Sequence, residues 1–204
     1  MDTPARPLPR KLPGDGRYRD FVRNSHVFSS ALQEVAGERC LRRVTELTLA
    51  PSHLRLLQLM ADLGEHTAGQ AAAFLGVSPA AATKNVDKLV HLGLLRRLPR
   101  RGDRRAARLA ISERGDELVR SYEEEKARLL RPVLRELGAR DAALLSRLLE
   151  KAARRLTEAE GGGAGLRLAC QAYCSQDCAF RGIQPACPRG ESARARTAGR
   201  RQHP

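Results

Sequence analysis

The sequence predicts a mainly α-helical chain built on a winged helix-turn-helix, with a small two-stranded wing and long helices at both ends of the domain. Three observations carry this expectation. A small-residue run ending at Gly76 is followed at once by Ser78-Pro79 and a second amphipathic stretch, the pattern of two short helices joined by a tight turn. Beyond it, two short apolar segments flank a loop with six arginines among the ten residues from Arg96 to Arg105. On both sides lie long segments whose apolar residues recur at helical spacing.

In chain order, residues 1–17 hold Pro4, Pro7, Pro9 and Pro13 among Arg6, Arg10, Lys11 and Arg17, a composition that reads as a disordered basic arm. Residues 18–159 read as one domain. From Tyr18 to about Glu46, Phe21, Val22, Phe28, Leu32, Val35 and Leu41 mark one long amphipathic helix despite Gly37. A second helix opens after Pro51-Ser52, turns Leu54, Leu57, Leu59 and Met60 inward, and stops at Gly64. Thr67 caps a third, which runs to Leu75. Ser78 caps a fourth that places Ala82, Val86 and Leu89 on one side, Ala80, Ala81, Lys84, Asp87 and Lys88 on the other, and ends at Gly93. Leu94-Leu95 and Arg108 to Ile111 are the expected wing strands. From Ser112, with Glu113 and Asp116 in its first turn, a helix marked by Leu118, Tyr122, Leu129 and Leu130 runs to about Gly138, with Pro132 as a candidate kink. Another spans Asp141 to Ala159 and carries Leu144, Leu145, Leu148, Leu149 and Leu156. The terminal helices present more apolar surface than a small winged lobe, about residues 51–111, can cover. Residues 160–204 comprise a flexible linker at Gly161 to Gly165, a cysteine-rich segment (170–187) and a basic tail.

Charge narrows the partners. The 204-residue chain has 37 Lys and Arg against 23 Asp and Glu, a formal net charge of +14, and a pI near 10.7, which suits a polyanion. Aromatic residues are 3% of the chain and Trp is absent, so stacking platforms for single strands are scarce and duplex DNA is favoured. No apolar run approaches the roughly 18 residues of a membrane span, and the N-terminus lacks a secretory apolar stretch, so no membrane association and a cytoplasmic location are expected. Phosphate-loop, H-E-x-x-H and G-x-S-x-G motifs are absent, and Gly161-Gly162-Gly163 follows a helix instead of linking a strand to one. The five histidines are scattered, and His91 suits the C-terminal end of its helix better than a metal site. An enzyme is not expected.

The order of elements, together with VSPAAATKNVDKLVHLGLLRR (Val77 to Arg97) and GDRRAARLAISERG (Gly102 to Gly115), resembles the MarR family of bacterial regulators over about Tyr18 to Ala159. The most specific pieces are Leu89 with Gly93-Leu94-Leu95, Asp103-Arg104-Arg105, and Ser112-Glu113-Arg114-Gly115. The resemblance implies a homodimeric, double-stranded DNA-binding transcription regulator in which the first helix (18–46) and the last two (112–159) serve dimerisation. It also implies a small-molecule effector held between those helices and the DNA-binding lobe.

Two-fold geometry would then set paired recognition helices into successive major grooves about 34 Å apart, which calls for a palindromic operator. Ser78, Pro79, Ala80, Ala81, Lys84 and Lys88 are the expected contacts from the recognition helix. The two lysines can reach guanine edges or phosphates, whereas Ala80 and Ala81 offer only methyl contact to thymine, so base reading should be modest. Arg100, Arg101, Asp103, Arg104 and Arg105 are the expected wing residues. Arg101 or Arg104 is the candidate for a narrow minor groove, and Asp103, which phosphates would repel, is read as a brace paired with an arginine. Ala106 departs from the small hydroxyl residue frequent at that position in the family.

Outside the resemblance, Cys170, Cys174, Cys178 and Cys187 follow C-x3-C-x3-C-x8-C, with Pro188 after the last. On one straight helix the first and third would lie about 12 Å apart. One zinc needs its sulfurs within about 4 Å of one another, so the segment would have to fold around it. An iron-sulfur cluster holds its thiolates further apart, and the Cys-Pro ending is similar to that of bacterial ferredoxin runs although the x3 spacings are not. A cluster, zinc, or plain thiols remain open, and with them metal or redox modulation of DNA binding. Cys40, in the first helix, reads as a small buried side chain. The rival class is an iron-sulfur or redox protein whose winged domain serves only as a dimerisation or protein-interaction scaffold.

Overall fold

The computed structural model describes residues 16–98 and 108–159. Helix α1 (Gly16–Ala31) continues through a π-helical stretch, Leu32–Arg39, into α2 (Cys40–Val44), so the first long helix is a single rod whose bonding pattern changes in the middle. A strap, Thr45 to Ala50, leads into α3 (Pro51–Leu63).

Helix α3 is short and mostly buried, with Leu56 and Gln58 enclosed beside the leucines that the sequence turns inward. His53, Leu54, Leu56, Leu57, Gln58, Leu59 and Met60 are all enclosed, and each fully buried leucine contributes about 1.5–3 kcal/mol relative to exposure. It is the axle of the lobe, with α4 (Ala68–Leu75), α5 (Pro79–His91), the sheet and α6 packed around it. Ala50 at its N-cap has no side-chain acceptor. His53 fills that role in part, because its Nδ1 accepts the Ala50 N–H at 2.9 Å.

Helix α4 starts as the sequence predicts. The Thr67 hydroxyl accepts the Gln70 N–H at 3.2 Å, and the Gln70 side chain accepts the Thr67 N–H at 2.8 Å, a reciprocal capping box. Gly76 ends it in the left-handed conformation. The sheet adds one strand to the two expected: β1 (His66–Thr67) pairs antiparallel with β3 (Arg108–Ile111), which pairs with β2 (Leu95–Leu98), in the order β1-β3-β2. Two residues are too few to show a period, so only tertiary pairing reveals β1.

Helix α6 (Glu113–Ala159) is interrupted at Gly138, whose φ of 75° and ψ of 159° divide it into two arms where the sequence predicts two helices. Pro132 lies inside the first arm. That arm lies against α2 and α3, burying Leu118, Val119 and Tyr122, whereas the second leaves Leu144, Leu145, Leu148, Leu149 and Leu156 exposed. Every large exposed hydrophobic side chain among the described residues lies on α1, at Leu32 just after it, or on α6 from Val133 onward. None of the described helices is long and apolar enough to cross a membrane.

Candidate nucleic-acid interface

Helix α5 is set by its ends. The Ser78 hydroxyl accepts the Ala81 N–H at 3.2 Å, and Pro79 occupies the first helical position, where its missing N–H costs nothing. Ala82, Val86 and Leu89 are buried against the core, so Ser78, Pro79, Ala80, Ala81, Lys84, Asp87 and Lys88 all face outward as the sequence predicts. Side-chain bonding then sorts them. The Thr83 hydroxyl donates to the Pro79 carbonyl at 2.9 Å. Asp87 pairs with Arg97 on β2. Lys88 Nζ donates to the Thr48 carbonyl at 2.7 Å. Lys84, by contrast, makes no ion pair among the described residues. The first two turns therefore present methyl and methylene surface with one uncommitted cation.

The far end of α5 is locked to α6 by the Ser-Glu-Arg-Gly segment. Leu92 and Gly93 close the helix, Gly93 with φ 71°. The Ser112 hydroxyl donates to the Gly93 carbonyl at 2.7 Å and accepts the Gly115 N–H at 3.0 Å, while Arg114 donates to the Leu92 carbonyl at 3.1 Å. Gly115 sits so close to β2 that an added Cβ would overlap the Leu94 carbonyl oxygen and lie 2.9 Å from Ile111 Cγ1. The motif thus couples the orientation of the recognition helix to that of the long α6.

The sheet edge is basic. Arg96, Arg97 and Arg108 are exposed at the root of the wing, with Arg108 3.1 Å from Glu65. Arg100, Arg101, Asp103, Arg104 and Arg105, the remaining wing residues singled out in the sequence, lie outside the described residues, as do Cys170, Cys174, Cys178 and Cys187. Among the described residues no group of three or more His, Cys, Asp or Glu side chains gathers as a metal site. Cys40 is fully buried, and its enclosure, with Glu125 nearby, pushes its thiol up, which disfavours the reactive thiolate.

Sequence reasoning missed three features around this face. The Asp87–Arg97 pair joins residues ten apart on different elements, and no local spacing rule forecasts it. The Lys88–Thr48 contact spans forty residues. His53 is enclosed between the strap and α5, in hydrogen-bonding contact with Asn85, and burial, followed by the nearby Lys88 charge, pulls its pKa down.

Behind α5, a cleft of about 1150 Å³ opens between the first helix, the strap, α3 and α6. Its apolar wall includes Leu32, Leu41, Leu49, Leu54 and Leu130, and its cations are Arg42, Arg55 and Lys126. At its base the Tyr122 hydroxyl donates to the Ala36 carbonyl at 3.0 Å. Burial, with Glu123 and Cys40 adding to it, pushes that phenol up to about 12. Gln58 donates to Glu123 at 2.6 Å; the same carboxylate holds Lys126 at 3.1 Å, and the Lys126 ammonium lies 4.7 Å from the centre of the Tyr122 ring.

A capped recognition helix, an arginine-flanked β-hairpin root and long flanking helices define a winged helix-turn-helix DNA-binding protein. A MarR family model matches residues 47–106, from within the strap through α3 and the helix-turn-helix into the wing. Over that stretch the chain carries a winged helix-turn-helix of the MarR family of DNA-binding transcription regulators. Among solved structures, it is similar to RV1404 from Mycobacterium tuberculosis at 25% identity and a TM-score of 0.60, over 75% of this chain and 99% of that one. The transcriptional regulator Tm0710 from Thermotoga maritima is 25% identical with a TM-score of 0.50, over 70% and 96%. The organohalide-sensing regulator RdhR-CbdbA1625, solved in a 2,4-dichlorophenol bound form, shares the fold at 16% identity and a TM-score of 0.55, over 79% and 93%. No curated protein sequence matches the chain.

Proposed function

We propose that this regulator works as a homodimer on a roughly palindromic duplex site, with the α5 helices of the two subunits in successive major grooves about 34 Å apart and the arginine-rich wings reaching outward along the backbone. The observation that carries the dimer is the confinement of the large exposed hydrophobic side chains to α1, Leu32 and the later part of α6. Phe21, Phe28, Leu144, Leu148 and Leu149 form stripes that a monomer leaves in water and a two-fold partner would cover.

On the DNA, Lys84 is the recognition-helix group available for a guanine edge or a phosphate, with Ala80 and Ala81 offering contact to thymine methyls. Ser78 and Pro79 bring the helix N-terminus to the backbone, where its N–H groups favour phosphate. Arg100, Arg101, Arg104 and Arg105 supply the wing contacts, with Asp103 as their brace. Specificity then comes from the spacing of the two helices and from groove shape more than from a dense set of base contacts.

The cleft gives the protein a place for a small-molecule effector with an apolar body and a polar or anionic end, since its leucine wall is rimmed by Arg42, Arg55 and Lys126. The phenol in the RdhR-CbdbA1625 structure has such amphipathic chemistry. The four cysteines crowded into residues 170–187 add a second input, an iron-sulfur cluster or a zinc ion whose gain, loss or oxidation would alter the dimer.

Sedimentation and fluorescence anisotropy test the central reading. The expected outcome is a dimer whose affinity for an operator selected from random duplexes falls roughly a thousandfold or more between 50 and 200 mM salt, with Lys84→Ala and Arg101→Ala each lowering the slope by about 0.9. A monomer would refute the proposed dimer, and a duplex affinity indifferent to salt would favour the scaffold reading. Iron, sulfide and zinc analysis after anaerobic purification, repeated on a Cys174→Ser, Cys178→Ser variant, decides the metal.

A further inference from the structure

The strap Thr45 to Ala50 touches both halves of this protein's work. Thr45, Glu46, Leu47, Thr48 and Leu49 all line the cleft, and the same strap is fixed to the recognition helix by the bond from Lys88 Nζ to the Thr48 carbonyl at 2.7 Å. A second tie lies alongside, through His53, whose Nδ1 accepts the Ala50 N–H and whose ring meets Asn85 of α5. The strap carries no helix or strand of its own between Thr45 and Ala50, so side chains hold much of its shape: the Leu47 N–H goes to the Thr45 hydroxyl at 3.1 Å and the Ala50 N–H to His53 at 2.9 Å.

Lys88 is also in the wrong place to be a simple reader of bases. It lies in the last turn of α5, whereas the N-terminal part of a recognition helix approaches the base edges. Its ammonium is turned back to the protein and takes a backbone carbonyl at the cleft wall. We propose that Lys88 is a positioning residue: it latches the recognition helix to the strap, so that displacement of the strap by an occupant of the cleft is transmitted directly to the angle at which α5 meets DNA. This deepens the proposed regulator and rests on that reading. By reciprocity, DNA that fixes α5 must tighten the strap through the same bond.

That reciprocity allows a test with DNA alone as the probe. Amide exchange at Leu47 and Ala50 is measured on the full-length protein with and without a selected operator duplex, and the salt slope of binding is measured for wild type, Lys88→Met and Lys88→Arg. The latch predicts that DNA slows exchange at both amides by about fivefold or more in the wild type. It predicts that Lys88→Met abolishes this coupling at Leu47, with Ala50 still held through His53, while leaving the salt slope unchanged, and that Lys88→Arg, which keeps a cationic donor, restores it. A slope lowered by about 0.9 in Lys88→Met, the mark of a lost phosphate contact, would overturn the latch. Coupling retained at Leu47 in Lys88→Met would overturn it too, as would DNA-insensitive exchange in the wild type, which needs no variant to fold. A wild type with no salt-dependent duplex binding would instead refute the regulator reading beneath it.

Discussion

Replacing Gly115 by alanine probes the joint between the recognition helix and α6. The new methyl would meet the Leu94 carbonyl oxygen, a backbone atom that cannot swing away, and Ile111 Cγ1 at 2.9 Å. The start of α6 must therefore retreat from β2 by about 1 Å to restore van der Waals contact. Three hydrogen bonds cross that joint: Ser112 Oγ to the Gly93 carbonyl at 2.7 Å, Ser112 N–H to the Leu94 carbonyl at 3.1 Å, and Arg114 to the Leu92 carbonyl at 3.1 Å. At about 1 kcal/mol each, with about 1–3 kcal/mol for overpacking, less about 1 kcal/mol from the better helix propensity of alanine, the net cost is about 3–5 kcal/mol. That corresponds to a loss of roughly 10–20 °C in Tm, read by thermal denaturation at fixed protein concentration. Gly69→Ala is the matched control, because the nearest atom to its Cβ is the Thr67 hydroxyl at 3.9 Å. The same substitution should stabilise there by about 0.4–1 kcal/mol. A Gly115→Ala protein within about 1 kcal/mol of wild type would refute the claim that this glycine is there for close approach.

Three further outcomes follow from the same geometry. Because His53 has a lowered pKa in the fold, the unfolded chain takes its proton first. Its contribution is complete above pH 6.5 and is lost as pH falls through that value toward the folded pKa; His53→Gln, which keeps an acceptor for the Ala50 N–H without a titrating ring, should flatten that limb of a urea-denaturation pH series. Tyr122 works in the opposite direction, since a phenol raised to about 12 stabilises fully below pH 10 and loses that contribution as pH rises through the folded value; absorbance at 295 nm should show it ionising last, and Tyr122→Phe should cost about 1–2 kcal/mol for its buried bond to Ala36. Asp87→Ala removes a carboxylate from the DNA-facing helix and releases Arg97, so anisotropy titrations should show tighter duplex binding with a salt slope steeper by about 0.9.

Much of this protein is legible locally. Thr67, Ser78-Pro79, Gly76 and Gly93 announce helix ends because caps act within one turn, and the structure uses them as their chemistry requires. The two faces of α5 follow from the 3.6-residue period, and Gly138 marks the break in α6. What the sequence hides is what depends on distant partners. Leu56 and Gln58 are buried because elements pack on nearly every side of α3, a fact about neighbours and not about period. Asp87 pairs with Arg97 of β2, a partner that no local spacing announces. Lys88 reads in the sequence as a DNA contact on the exposed face of its helix, and only the fold brings the Thr48 carbonyl to it.

The π-helical stretch Leu32–Arg39 acts as a phase corrector. Leu32, Ala36, Cys40 and Val44 are spaced by four, and each such step overshoots an α-helical turn by about 40°, so by Val44 the stripe would have wound about 120° around the rod. Bonding to the fifth residue instead of the fourth takes up part of that drift. One continuous seam can then be bare at Phe21 and Phe28 yet closed over Ala36 and Cys40. Deleting a single residue between 32 and 39 would twist the two ends of the rod apart by about 100°. The chain could then keep the register of its own core or the register of its exposed apolar stripe, but not both.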